Sequence, residues 1–219
     1  MVTNPQASIS WKDKAVGDVR NQGACGSCWA SSACGGLEGL NALKTGKVDV
    51  YSPQQMVDCS SKYGNEGCNG GDMDAALWYV QDNGIALDSK YPYKARNQKC
   101  AYTSKMKAFS NNGCADVPAN KTIALQSAVI KQPVSIAVEA SSLYFQFYSK
   151  GVLSNKKCGL DLDHGITLTG YGTLDSKDYW ECKNSWGNDW GMKGYILIER
   201  TAEDGPGMCG IMMENVVPQ

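Results

Sequence analysis

Apolar positions in the first half of the chain recur at helical spacing. Trp29, Ala33, Leu37, Leu40 and Leu43 follow one another at steps of three or four, which predicts a helix over residues 28–45 with Gly46 to stop it. Gly35, Gly36 and Gly39 lie inside that run. Each costs about 1 kcal/mol against alanine, so the helix needs tertiary support, and the glycines would let another segment pack closely. Ser52-Pro53-Gln54-Gln55 predicts a second helix: a serine cap, proline at the first position and glutamine three residues on. A third follows Asp72, with Met73, Ala76, Leu77 and Val80 on one side and Gly84 at its end.

The second half reads differently. Residues 134–138, 166–169, 179–183 and 195–198 are short, rich in β-branched or aromatic residues, and bounded by glycine, proline or polar turns. Helices first and strands later predict an α+β protein in two lobes, 1–112 mainly helical and 113–219 mainly β. The boundary is expected near residues 110–118, where Ser110-Asn111-Asn112-Gly113 is a turn signal. The N-terminal segment is expected to cross to the second lobe and the C-terminal segment to cross back. A cleft between lobes is a favoured place for a site.

Composition narrows the function. The 219 residues hold 21 Lys and Arg against 22 Asp and Glu, so no basic excess argues for nucleic acid or an anionic membrane. No apolar run approaches the ~18 residues of a membrane span. Ten cysteines in a chain of this length point to a disulfide-permissive compartment. Met1 to Trp11 lacks the basic-then-apolar pattern of a signal peptide, so a processed chain with an added Met1 is expected. Asn120-Lys121-Thr122 is an N-glycosylation sequon and adds weak support for secretion.

The chain has one histidine, and acid–base work near neutral pH most often uses imidazole. If the protein uses one, it is His164, which Asp163-His164-Gly165 places at the edge of an apolar strand; a structural histidine or a metal ligand are the alternatives. The segment Gln22-Gly23-Ala24-Cys25-Gly26-Ser27-Cys28-Trp29 feeds into the first helix. A thiol at a helix N-terminus meets unpaired N–H groups and the positive end of the dipole, which favour thiolate. Cys28 opens the helix and is the better nucleophile; Cys25, in the loop, is the better disulfide partner. A zinc site would need a second close cysteine pair, which is missing. A redox Cys-x-x-Cys would follow a buried strand, and Lys12, Lys14, Asp18 and Arg20 do not form one.

With His164 and Asn184 far downstream, Cys25-Gly26-Ser27-Cys28-Trp29 resembles the papain and cathepsin L type of cysteine protease. The resemblance runs from Trp11 to Pro218. It takes in Cys68-Asn69-Gly70-Gly71, Tyr91-Pro92-Tyr93, Gln132-Pro133-Val134-Ser135, Gly170-Tyr171-Gly172 and Lys183-Asn184-Ser185-Trp186-Gly187. It implies a papain-like two-lobe fold, helical on the left and β-barrel-like on the right, with the cleft between. It also implies a cysteine endopeptidase acting on protein or peptide substrates without cofactor or metal. Cys28 would be the nucleophile, His164 the acid and base, Asn184 its orienting partner and Gln22 an oxyanion donor. Trp186 would shield the His–Asn hydrogen bond, and Gly70 and Gly71 would lie along the substrate backbone. The pocket for the second residue upstream of the cut would take in Asp72, Met73, Ala137, Leu162 and Gly165, with Glu214 at its base, and Asp163 would also contact substrate. The family pattern pairs Cys25 with Cys68, Cys59 with Cys100 and Cys158 with Cys209; Cys34, Cys114 and Cys182 remain, expected as buried thiols, with a fourth bridge among them as the alternative.

The resemblance further implies a secreted, lysosomal or vacuolar enzyme, held as a zymogen by its own propeptide and met by protein inhibitors; a monomer is expected because the sequence shows no coiled coil or assembly stripe. Two residues depart from the pattern: Ser31 stands where phenylalanine is usual, and Ser10 where aspartate is usual. Changed local packing is expected from both. A non-catalytic binding protein on the same scaffold is the alternative function. An exopeptidase would need a blocking insertion, and the stretch from Cys100 to Pro118 is short.

Overall fold

The computed structural model describes residues 7–219. The start of the chain, with Met1, lies outside the described residues. The first element is strand β1 (Ile9–Ser10), followed by helix α1 (Cys28–Thr45), which is buried from Trp29 to Ala42. Gly46 ends α1 in the left-handed region, with φ 74° and its N–H on Ala42 O. Leu43 falls past the buried stretch and is 45% exposed, contrary to the expected stripe. A helix enclosed on every side has no single apolar face for such a stripe to mark.

The glycines of α1 are contact surface. A side chain at Gly35 would collide with Thr167, and one at Gly39 with the ring of Pro133. One at Gly36 would lie 3.0 Å from Ser135 Oγ. Ser32 Oγ donates to Ile166 O at 2.6 Å, and Ser135 Oγ donates to Ser32 O at 3.0 Å. The helix thus lies directly on the strands of the second half.

Around the other side of α1 pack α2 (Pro53–Cys59) and α3 (Met73–Asn83). Ser52 caps α2 by accepting from the Gln55 N–H. The Gln55 side chain does not complete a capping box. Its amide donates to Tyr79 Oη and Gly84 O, and its oxygen accepts from the Ala86 N–H, tying α2 to α3 and to strand β2 (Ile85–Ala86). Asp72 caps α3 through the N–H groups of Asp74 and Ala75. β2 pairs with β3 (Lys107–Phe109). Trp29, Leu37, Tyr51, Met56, Leu77, Val80 and Ile85 form one apolar cluster.

A second cluster, centred on Leu125, Ile136, Phe145, Leu168, Tyr171, Trp180 and Ile196, belongs to the sheet. Its strands are β4 (Cys114–Asp116), β5 (Val134–Val138), β6 (Val152–Leu153), β7 (His164–Leu174), β8 (Lys177–Lys183), β9 (Tyr195–Glu199) and β10 (Asn215–Pro218). Their order is β4-β10-β5-β7-β8-β9-β6, with β1 also on β7 and only β6–β9 parallel. The path has two ends and does not close into a barrel. Ile9 and Trp11 pack on this cluster, and Trp11 Nε1 donates to Val129 O at 2.7 Å. Ser10 Oγ donates to Glu181 Oε1 at 2.7 Å, which is what the departure at that position does here.

Helix α4 (Thr122–Lys131) and the single turn α5 (Leu143–Gln146) are not among the elements the sequence predicts. Thr122 and Gln126 share the buried face of α4 with Leu125 and Val129, while Ile123 points to solvent, so the apolar period is blurred. Three disulfides join Cys25 to Cys68, Cys59 to Cys100 and Cys158 to Cys209. Cys28, Cys34, Cys114 and Cys182 are free; Cys34 and Cys182 are buried and Cys114 is half-buried.

Gly39→Ala should lower stability although alanine is the better helix former. About 1 kcal/mol of propensity is outweighed by overpacking of about 1–3 kcal/mol against a rigid proline ring. A urea midpoint equal to or above that of the parent would contradict this packing account.

Candidate active site

Cys28 is the first residue of α1. The cap residue, Ser27, uses its hydroxyl on Tyr93 Oη and makes no side-chain cap, which leaves the first-turn N–H groups for the site. His164 is the first residue of β7, opposite Val138 of β5. Asn184 directly follows β8, whose Lys183 is opposite Thr167. The β7–β8 pairing therefore sets Asn184 beside His164, and Nε2 of the ring lies 2.7 Å from Asn184 Oδ1.

That oxygen also accepts from the Ser185 backbone N–H at 2.7 Å. A backbone N–H can only donate, so the amide orientation is settled and Nε2 must carry the proton. Nδ1 is left for the thiol. Trp186 lies tilted against the ring with centroids 4.8 Å apart, and Phe145 meets it edge-on at 6.2 Å. Trp190 packs behind both.

Burial pushes the Cys28 thiol up. The side-chain hydrogen bond with His164, the charge of that ring, and backbone hydrogen bonds from Gly165 and Trp29 outweigh it, and the thiol lies below its ordinary value. The other free thiols behave oppositely. Burial pushes Cys34 up to about 12 and Cys114 up to about 11, and Cys182 well above its ordinary value.

Gln22 is held on three sides. Its Nε2 donates to Cys25 O at 3.1 Å, its Oε1 accepts from Ser185 Oγ at 2.7 Å, and its carbonyl accepts from Tyr93 Oη at 2.8 Å. One Nε2 hydrogen remains for another partner.

A cleft of about 200 Å³ opens at Cys28 and His164 and is lined by Gly70, Gly71, Asp72, Met73, Ala137, Leu162, Asp163, Gly165 and Glu214. Gln22, Asn184 and Trp186 are not on its wall. Asn184 sits behind the histidine, and Trp186 borders the neighbouring hollow with His164, Asp163 and Gln146. The two glycines differ. A side chain on Gly71 would run into Trp29 and Asn65, whereas at Gly70 the backbone, with φ 128°, sets the preference and the space beyond is open. Glu214 is exposed, near Asp72, Asp74 and Asp116 in the adjoining hollow. Burial, then the charges of Asp72 and Asp116, push Asp74 up to about 6.

Residues 5–219 match the family model described as papain family cysteine protease. The chain belongs to the papain family. Among curated proteins it is 48% identical over 217 residues to the thiol protease SEN102 of Hemerocallis, covering 98% of this chain and 60% of that one. To a cathepsin L-like protein of Caenorhabditis elegans it is 46% identical, covering 96% and 63%. The chain thus spans about 60% of the length of the curated relatives it matches. Among solved structures, the ragweed pollen allergen cysteine protease Amb a 11 in its proform superposes with a TM-score of 0.93 at 40% identity, covering 99% of this chain and 66% of that one. The Carica candamarcensis cysteine protease CMS1MS2, in complex with E-64, superposes at 0.90 with 40% identity and 98% of each chain covered.

Phe145 and Trp190, which complete the aromatic wall, carry no signal in the sequence. Ser185 and Tyr93, present in the sequence only as parts of family motifs, hold Gln22. Glu38 is a lone acid in the middle of buried α1, which is itself a signal that a partner must be near. It accepts from Arg20 Nη2 at 2.6 Å and from the Gly17 N–H at 3.0 Å, with Lys183 Nζ at 3.7 Å.

Titration of thiolate absorbance should show one thiol ionising below the ordinary cysteine value. His164→Ala should move that midpoint above it, since burial then acts against fewer favourable partners. A low midpoint that survives His164→Ala would remove the histidine from the account.

Proposed function

We propose that this chain is the protease unit of a cysteine endopeptidase in which Cys28 and His164 form the reactive pair. The observation that carries the reading is His164 with Nε2 2.7 Å from Asn184 Oδ1 and its ring on the same cleft wall as the Cys28 thiol, which it helps to hold below its ordinary value. The Cys28 proton passes to His164, giving thiolate and imidazolium. The sulfur attacks the peptide carbonyl, and the oxyanion takes hydrogen bonds from the Cys28 backbone N–H and the free Gln22 Nε2 hydrogen. The imidazolium gives its proton to the leaving amine as the C–N bond breaks, leaving an acyl-thioester. Water, deprotonated by the now neutral ring, attacks the thioester, and the thiolate and imidazolium are restored as the acid leaves.

The substrate backbone runs along Gly70 and Gly71. The side chain two residues before the cut enters between Met73, Ala137, Leu162 and Gly165, an apolar lining that suits leucine or phenylalanine. Glu214, at the far end of the same cleft, adds acceptance of arginine when ionised. Asp72 and Asp163 complete the rim. We read the chain as two lobes meeting near residues 112 and 113, a division supported by the two separate apolar clusters. Three disulfides support an oxidising, secretory or vacuolar setting. The substrates are proteins or peptides, and the natural regulators are a propeptide and protein inhibitors. The solved proform of the ragweed relative supports the propeptide in this reading.

A thiol-directed epoxide should label the chain once, at Cys28, and abolish peptide hydrolysis; persistent labelling in Cys28→Ser would show the nucleophile to be elsewhere. The pair titrates as a unit, so kcat/KM against pH should be bell-shaped, rising as the ion pair forms and falling as the ring loses its proton. Glu214→Ala should cut kcat/KM for an arginine-containing peptide about fivefold while leaving the leucine analogue within about twofold, in line with an exposed charge contact worth about 1 kcal/mol. An unchanged ratio of the two substrates would remove Glu214 from specificity.

A further inference from the structure

Beside Asn184 lies a small, partly open hollow walled by Arg20, Ser31, Ser32, Gly165, Ile166, Thr167, Lys183, Asn184 and Ser185. Two of its wall residues carry buried donors that find no partner among the described residues: Asn184 Nδ2 and Arg20 Nη1. Asn184 is only 2% exposed. An unpaired buried N–H of this kind costs about 1–3 kcal/mol, and buried polar groups are almost always satisfied. Ser31 Oγ likewise makes no hydrogen bond within the described residues, and Ser185 Oγ, which donates to Gln22 Oε1, keeps its lone pairs. The cavity has room for about one water molecule.

We propose that this cavity binds a single buried water, which accepts from Asn184 Nδ2 and Arg20 Nη1 and returns its own hydrogens to wall hydroxyl oxygens, Ser31 Oγ first. The hydroxyl lining favours water over an anion. An anion needs donors on every side, and Arg20 already faces the Glu38 carboxylate at 2.6 Å. The water completes a chain of contacts. Glu38 holds Arg20, Arg20 holds the water, the water holds the Asn184 amide, and Asn184 Oδ1 holds His164 Nε2–H. Ser31 acts here as a positioning residue, because a larger side chain at that place would take up the water's space. The positioning role rests on the reading of Cys28 and His164 as the reactive pair; the water site itself does not.

The test is a high-resolution crystal structure of the chain with its thiol reversibly blocked, alongside the same crystal soaked in bromide, and the variants Ser31→Val and Ser31→Ala. One density peak within hydrogen-bond distance of both nitrogens, without bromide anomalous signal, is the expected result. A cavity without density, or a bromide peak there, overturns the site. Ser31→Val should lose the peak, lower kcat about tenfold at unchanged KM, and bring the alkaline limb of the kcat/KM profile to lower pH. Ser31→Ala, which keeps the space but removes one acceptor, should retain the peak at lower occupancy, with kcat between those of the parent and Ser31→Val. If Ser31→Val loses the peak with kcat and limb unmoved, or if both variants fall alike, the positioning role is overturned while the reactive pair stands. Loss of epoxide labelling at Cys28 would instead sink the pair and leave the water peak in place.

Discussion

The close seating of α1 on the sheet is the constraint from which the site follows. A side chain at Gly165 would stand 3.2 Å from Trp29 Cα and 3.3 Å from Trp29 N, so the strand carrying His164 can run against the first turn of the helix only because that position is bare. Further along, Gly35, Gly36 and Gly39 let the same helix lie on Thr167, Ser135 and Pro133. Dispersion is short-ranged, and such contacts fall off within about an ångström of separation. Widening the seam would cost packing along the whole helix as well as the meeting of thiol and ring.

Electrostatics then acts on a geometry already set. A thiol in this position would resist ionisation through burial alone, and it is the ring on one side with the helix and strand N–H groups on the other that reverse the sign. The buried ion group of Arg20, Glu38 and Lys183 spans the same seam, since Glu38 belongs to α1 and Lys183 is the residue before Asn184. Glu38 is fully buried and its carboxylate is held below its ordinary value: burial opposes ionisation, but Arg20 and Lys183 outweigh it. Removing one member of such a group leaves an unpaired buried charge, at a cost of about 3–5 kcal/mol. Its location makes it as much a clamp between helix and strand as a stabilising pair.

The chain's motifs were legible because their chemistry is local. The run of residues before Cys28, the single histidine and Asp163-His164-Gly165 each carry a recognisable arrangement of backbone and side chain. The caps of α2 and α3 and the stop at Gly46 were likewise readable from short stretches. Long-range partners were not. Gln55 looked like half of a capping box and instead ties α2 to Tyr79, Gly84 and Ala86. Gly70 and Gly71 read alike in the sequence yet are glycine for different reasons, backbone conformation in one and the approach of Trp29 in the other.

From residue order and type alone came the helices of the first half, the main strands of the second, the candidate nucleophile and the family resemblance, because periodicity, capping and motif spacing act over a few residues. Only the folded chain decided that Nε2 bears the proton of His164, that Gln22 is braced by Ser185, and that a lone acid in α1 faces a lysine next to Asn184. Those outcomes depend on which surfaces meet across the α1–sheet seam. Packing between segments more than a hundred residues apart is set by the shape of the whole core, not by any local stretch of sequence.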